Sequence, residues 1–200
     1  SKGIENKKIE KAFLKLIPKK ENLKVVIITT ASIEYKENDY NAIKAKNRFE
    51  ILNFEVTFLD IEYEKADILD NADIIFINGG NPYFLLYHIN ENNIKDNLEK
   101  AINNKAIIIG SSAGALVLTK SIKIIDLFTP EQNIINLKNL KALNFINLEI
   151  LPHFDKYVSR GIIKNELVKK YELKNNTIIT KINENDALFI DNERQYFINQ

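Results

Sequence analysis

Residues 107–118 read IIIGSSAGALVL. Three isoleucines stop at Gly110, two serines and three small residues follow, and an apolar run resumes at Leu116. The pattern predicts a buried strand, a tight turn and a helix. The chain holds 6 glycines and 6 serines in 200 residues, yet two of each fall within residues 110–114. Gly110-x-Ser112-x-Gly114 is the spacing of a turn that lifts a serine hydroxyl above a sheet, with small neighbours that let strand and helix approach closely.

The flanking sequence sets that turn in a larger pattern. Strands are predicted over 23–30, 54–59, 73–78 and 106–109, where β-branched residues form near-continuous runs. Helical spacing occupies 5–17, 39–52, 82–89, 94–102 and 113–119, with a short helix near 64–69. Alternating strand and helix through residue 120 predicts an α/β fold: a three-layer, open, mostly parallel sheet with helices on both faces. Residues 121–147 mix short apolar pieces with Asn and Pro and read as loops and a short strand. A strand over 148–151, a helix over 157–171 and late strands over 177–182, 187–191 and 195–198 complete the chain. The late strands are expected to be small and antiparallel. The length predicts a single domain over residues 1–200.

Composition excludes several classes. The net charge is +1 and the charges are interspersed, so neither nucleic acid nor a membrane surface is an expected partner. No apolar run approaches membrane-spanning length, and the residues present contain no signal peptide, so a cytoplasmic protein is expected. The absence of cysteine removes disulfides, thiol nucleophiles and thiolate metal ligands. Two histidines, His88 and His153, make a histidine-rich metal site unexpected, and no cofactor is predicted.

Ligands of open α/β sheets bind beyond the carboxyl ends of the strands. Three strand ends stand out: Asn78-Gly79-Gly80-Asn81-Pro82, the turn at Ser112, and Pro152-His153. Four of the six glycines lie in the first two. A serine hydroxyl needs a base to become nucleophilic. His88 lies mid-helix, so His153 is the candidate base. A third group must orient the imidazole, and Glu184 and Asp186, in a turn between two late strands, both qualify. An oxyanion would need two N–H donors. Ala113, at the start of a helix, offers one, and the Gly79-Gly80 turn offers another.

These motifs together resemble the dipeptidase E and cyanophycinase family of serine peptidases. Asn78-Gly-Gly-Asn81, Gly110-x-Ser-Ala-Gly-Ala115, Pro152-His153-Phe154 and Glu184-Asn-x-Ala-Leu188 occur in that order, and Ser1-Lys-Gly-Ile4 and Ile27-Ile-Thr-Thr-Ala-Ser32 look like the same family. The resemblance covers essentially the whole chain and implies a class I glutamine amidotransferase-like fold. It implies Ser112 as nucleophile, His153 as general base, Glu184 rather than Asp186 as the acid, and Gly80 and Ala113 as oxyanion donors. In the family a strand precedes the segment matching Ser1-Lys-Gly, so a first strand is expected before Ser1. A small peptide is the implied substrate, for a monomer or homodimer, with Asn81 and Arg160 as candidate substrate contacts. One departure bears on specificity. Dipeptidase E proper carries a longer segment after the histidine, with an arginine that pairs with the substrate carboxylate. Here Asp155 to Arg160 runs directly into a helix. Two other readings remain: an esterase or amidase on the same triad, and a catalytically inactive binding protein that kept the fold.

Overall fold

In a computed structural model of the protein, residues 6–191 and 194–198 are described. The chain divides into two compact units, residues 20–147 and residues 1–19 with 148–200.

The 20–147 unit is built on a parallel sheet. Its strands are β1 (Lys24–Ile28), β2 (Glu55–Leu59), β3 (Ile74–Ile77) and β4 (Ile107–Gly110), in the order β2-β1-β3-β4. In register, Val25 lies opposite Val56 and Ile74, and Ile77 opposite Gly110. Every residue of β3 is buried, as expected where both faces of a parallel strand are covered. Parallel pairing requires crossovers. These contain α1 (Tyr40–Ile51) between β1 and β2, a 3₁₀ turn at Ala66–Asn71 between β2 and β3, and α2 (Pro82–Glu91) with α3 (Ile94–Asn103) between β3 and β4. Capping starts the helices. Asp39 accepts from the N–H groups of Asn41 and Ala42, and Asn81 from those of Tyr83 and Phe84, with Pro82 in the first helical turn. α3 is amphipathic and buries Ile94, Leu98 and Ala101. A short α4 (Ala113–Val117) leaves the serine turn. Residues 121–147 hold 3₁₀ turns at Lys123–Leu127 and Pro130–Gln132. The short strand expected there is reduced to an isolated bridge between Ser121 and Lys141.

The other unit contains an N-terminal helix over 7–13, shorter than the 5–17 pattern predicts, that buries Ile9 and Phe13. β5 (Glu149–Leu151) pairs with β6 (Ile179–Lys181) in parallel, correcting the antiparallel expectation for the 177–182 strand. β7 (Ala187–Asp191) and β8 (Arg194–Ile198) form an antiparallel hairpin. The helix expected over 157–171 is two: α5 (Phe154–Ser159) and α6 (Asn165–Asn175). The break falls at Gly161, whose φ of +67° ends the first helix in the left-handed region that glycine adopts freely. No helix among the described residues is long and apolar enough to cross a membrane.

Candidate active site

Ser112 sits between β4 and α4 with φ 51° and ψ −110°. This backbone region is costly for any residue with a side chain, and such conformers concentrate at functional sites. The surrounding glycines explain how it is held. A Cβ on Gly114 would lie 2.0 Å from the carbonyl oxygen of Ile77, so α4 packs directly onto the backbone of β3. A Cβ on Gly110 would lie 2.5 Å from Cα of Ala115, so the turn closes on its own helix. The Ser112 carbonyl accepts from the N–H groups of Ala115 and Leu116, both at 3.0 Å. Its hydroxyl does not cap α4 and makes no hydrogen bond among the described residues.

The Gly79-Gly80 turn lies beside this serine: a Cβ on Gly79 would stand 3.2 Å from Cβ of Ser112 and 3.9 Å from its Oγ. Gly80 has φ +142°, and a Cβ there would lie 2.2 Å from the Ala31 carbonyl oxygen. Only glycine fits on both counts. The Ala31 carbonyl accepts from the Asn81 N–H at 2.8 Å. Among the described residues, the N–H groups of Gly80 and Ala113 donate no hydrogen bond.

Asn81 is used within the protein. Its Oδ1 caps α2, and its Nδ2 donates to the Gln132 carbonyl at 2.7 Å. Nearby, the buried Tyr83 hydroxyl donates to Asp126 at 2.6 Å. Burial raises the Tyr83 pKa well above its ordinary value, and the Asp126 hydrogen bond adds to the shift.

In the other unit, His153 follows β5 with φ 57° and its Nδ1 meets Oε2 of Glu184 at 2.5 Å. Opposite an ionised carboxylate, Nδ1 is the donor in this contact. Burial acts to raise the Glu184 carboxyl pKa, but hydrogen bonding, His153 among the donors, holds it below its usual value. Asp155 accepts from the Glu184 N–H at 2.9 Å and so fixes the Glu184 backbone. Asp186 turns elsewhere: its carboxylate accepts from the Asn183 N–H at 3.3 Å. Tyr157 stands edge-on to the imidazole at 6.2 Å between ring centroids, its hydroxyl pKa raised by burial and then by the Glu184 charge. Arg160 is exposed at the end of α5 and forms no ion pair among the described residues.

His88 packs in α2 between Phe84, 4.5 Å away by ring centroids, and Tyr87 at 5.1 Å. Burial lowers its pKa. Among the described residues, no group of three or more His, Asp or Glu is placed to hold a metal ion.

Sequence reasoning missed two supports. Asp155 is adjacent to the quoted Pro152-His153-Phe154 motif, and its first-turn position was the available signal. Asp39 opens the helix predicted over 39–52, and no local pattern marks that it also accepts from Nδ2 of Asn78 at 2.9 Å.

A family model described as peptidase family S51 matches residues 1–198. The chain is 29% identical over 170 residues to an uncharacterized peptidase of Listeria monocytogenes, covering 83% of this chain and 81% of that one. It is 30% identical over 166 residues to peptidase E of Haemophilus influenzae strain PittGG, covering 80% of this chain and 66% of that one. A crystal structure of a Listeria monocytogenes EGD-e protein, described as a candidate peptidase E, superposes with a TM-score of 0.76 at 24% identity, covering 95% and 92% of the two chains. That of a peptidase from an acI-B1 Actinobacterium gives 0.59 at 20% identity, covering 83% and 68%.

Proposed function

The chain belongs to peptidase family S51, whose members are serine peptidases, and we propose that it hydrolyses short peptides or isopeptides by acyl transfer through Ser112. The observation that carries this reading is the serine turn. Ser112 holds a strained backbone and an uncommitted hydroxyl, between glycines that pack strand to helix without a Cβ to spare. A purely structural turn gains nothing from that strain.

In the proposed mechanism, Ser112 Oγ attacks the scissile carbonyl while Nε2 of His153 takes the hydroxyl proton. Glu184 keeps the imidazole in the tautomer that can accept it and stabilises the imidazolium that forms. The N–H groups of Gly80 and Ala113 receive the developing oxyanion. The C–N bond then breaks, the imidazolium gives its proton to the leaving amine, and a water repeats the cycle on the acyl-enzyme to release the acid. Asn81 serves by capping α2 immediately after the oxyanion turn. Arg160 is the proposed contact for a substrate carboxylate, and its exposed, unpaired guanidinium leaves that role available.

The test is turnover of a dipeptide library that includes aspartyl and β-aspartyl members, alongside a panel of simple esters. Release of free amino acids from dipeptides, lost in Ser112→Ala, supports the reading. Turnover of esters alone, or none at all, overturns it.

A further inference from the structure

The oxyanion turn is the least self-sufficient part of the site. Gly80 is held at φ +142°, pressed against the Ala31 carbonyl. A glycine there gains no steric preference for that conformer and has the largest conformational freedom to lose. Something outside the turn must select it.

The hydrogen bonds lead to Asp39. One carboxylate oxygen, Oδ1, accepts from Asn78 Nδ2 at 2.9 Å and from the N–H groups of Asn41 and Ala42 at 2.9 and 3.1 Å. The other, Oδ2, accepts from the Ser32 hydroxyl at 3.0 Å. Asn78 immediately precedes the turn, and Ser32 immediately follows the carbonyl on which Gly80 rests. Asp39 therefore ties together the ends of β1 and β3 and the start of α1. Asn78 is fully buried, and its Oδ1 has no hydrogen-bond partner among the described residues. A buried acceptor left without a partner is destabilising. An apolar side chain would avoid that cost, so an asparagine here points to the contact made by its Nδ2.

We infer that Asp39 is a positioning residue for hydrolysis, acting through Asn78 and Ser32 to hold the Gly79-Gly80 turn in the conformer that presents the Gly80 N–H to the oxyanion. The inference rests on the peptidase reading of Ser112. Helix capping alone does not require it, because a serine caps as well as an aspartate but is too short to reach Asn78 as well.

The experiment compares the full chain with Asp39→Ser, Asp39→Asn and Asn78→Ala, assayed at a temperature where all are folded by circular dichroism. The readouts are kcat and KM on the best dipeptide and the affinity for the matching peptide aldehyde, whose hemiacetal oxygen needs the oxyanion donors. Asp39→Ser and Asn78→Ala should lower kcat about tenfold or more, the scale expected when reacting groups are slightly misplaced. KM should move less than kcat, and aldehyde affinity should fall in step with kcat/KM. Asp39→Asn keeps an oxygen for Asn78 and should recover most of the rate. A merely structural role would lower the melting temperature and leave kcat per folded molecule and aldehyde affinity at parental values, and that result overturns the inference. An inert parent protein would remove the peptidase reading itself, and this inference with it.

Discussion

Nδ1 of His153 lies 2.5 Å from Oε2 of Glu184, while Asp186, two residues further on, bonds to the Asn183 N–H. The two carboxylates thus take different partners although they stand two residues apart in one turn. Glu184→Gln should lower kcat about a thousandfold or more, because an amide can donate to Nδ1 and leave the wrong tautomer. Asp186→Asn should lower it far less. Steady-state kinetics of both variants on one dipeptide check the contrast, and the reverse order would reassign the acid.

His153→Ala and Ser112→Ala should lose activity to a similar extent, and the double variant should be little worse than either, since such groups act as a unit. His88→Ala should retain most activity, because His88 is packed between Phe84 and Tyr87 in α2. Additive losses in the double variant would contradict a shared step.

The glycines separate two kinds of constraint. Gly114→Ala places a Cβ 2.0 Å from the Ile77 carbonyl and should cost about 3 kcal/mol or prevent folding, since backbone must move. Gly161→Ala meets nothing within 4 Å at φ +67° and should cost only the left-handed backbone, about 1–2 kcal/mol. Urea denaturation of the two variants measures the difference, and equal losses would refute the close packing of α4 on β3.

Ser112→Gly should be at least as stable as Ser112→Ala, although both lose the hydroxyl. Alanine inherits the strained φ of 51°, and glycine does not. A thermal melt that ranks alanine clearly above glycine would show that the turn stores no strain.

Much of this was legible in the sequence because the signals are local. Runs rich in β-branched residues, such as Val25–Ile28 and Ile74–Ile77, read as buried strands, and Asn81-Pro82 is a helix start written in two residues. Gly110, Ser112 and Gly114 state their turn by spacing alone. The illegible features depend on distant partners. The direction of β6 is set by its pairing with β5, from Glu149 opposite Ile179 onward. Gly161 sits in a stretch whose apolar spacing is helical on both sides, so periodicity ran through the break. Asp39 reaches Asn78 across 39 positions, and no local pattern records that contact. The choice of Glu184 over Asp186 came from family resemblance, since both stand in one turn.

The proposed mechanism stands or falls on Ser112 as the acyl-accepting nucleophile. The most direct measurement is mass spectrometry of the intact protein after reaction with a fluorophosphonate, followed by peptide mapping. One adduct per chain is expected, on Ser112, absent from Ser112→Ala and retained in Ser111→Ala. An unmodified parent protein, or an adduct that maps to Ser111 or elsewhere and survives in Ser112→Ala, would contradict it.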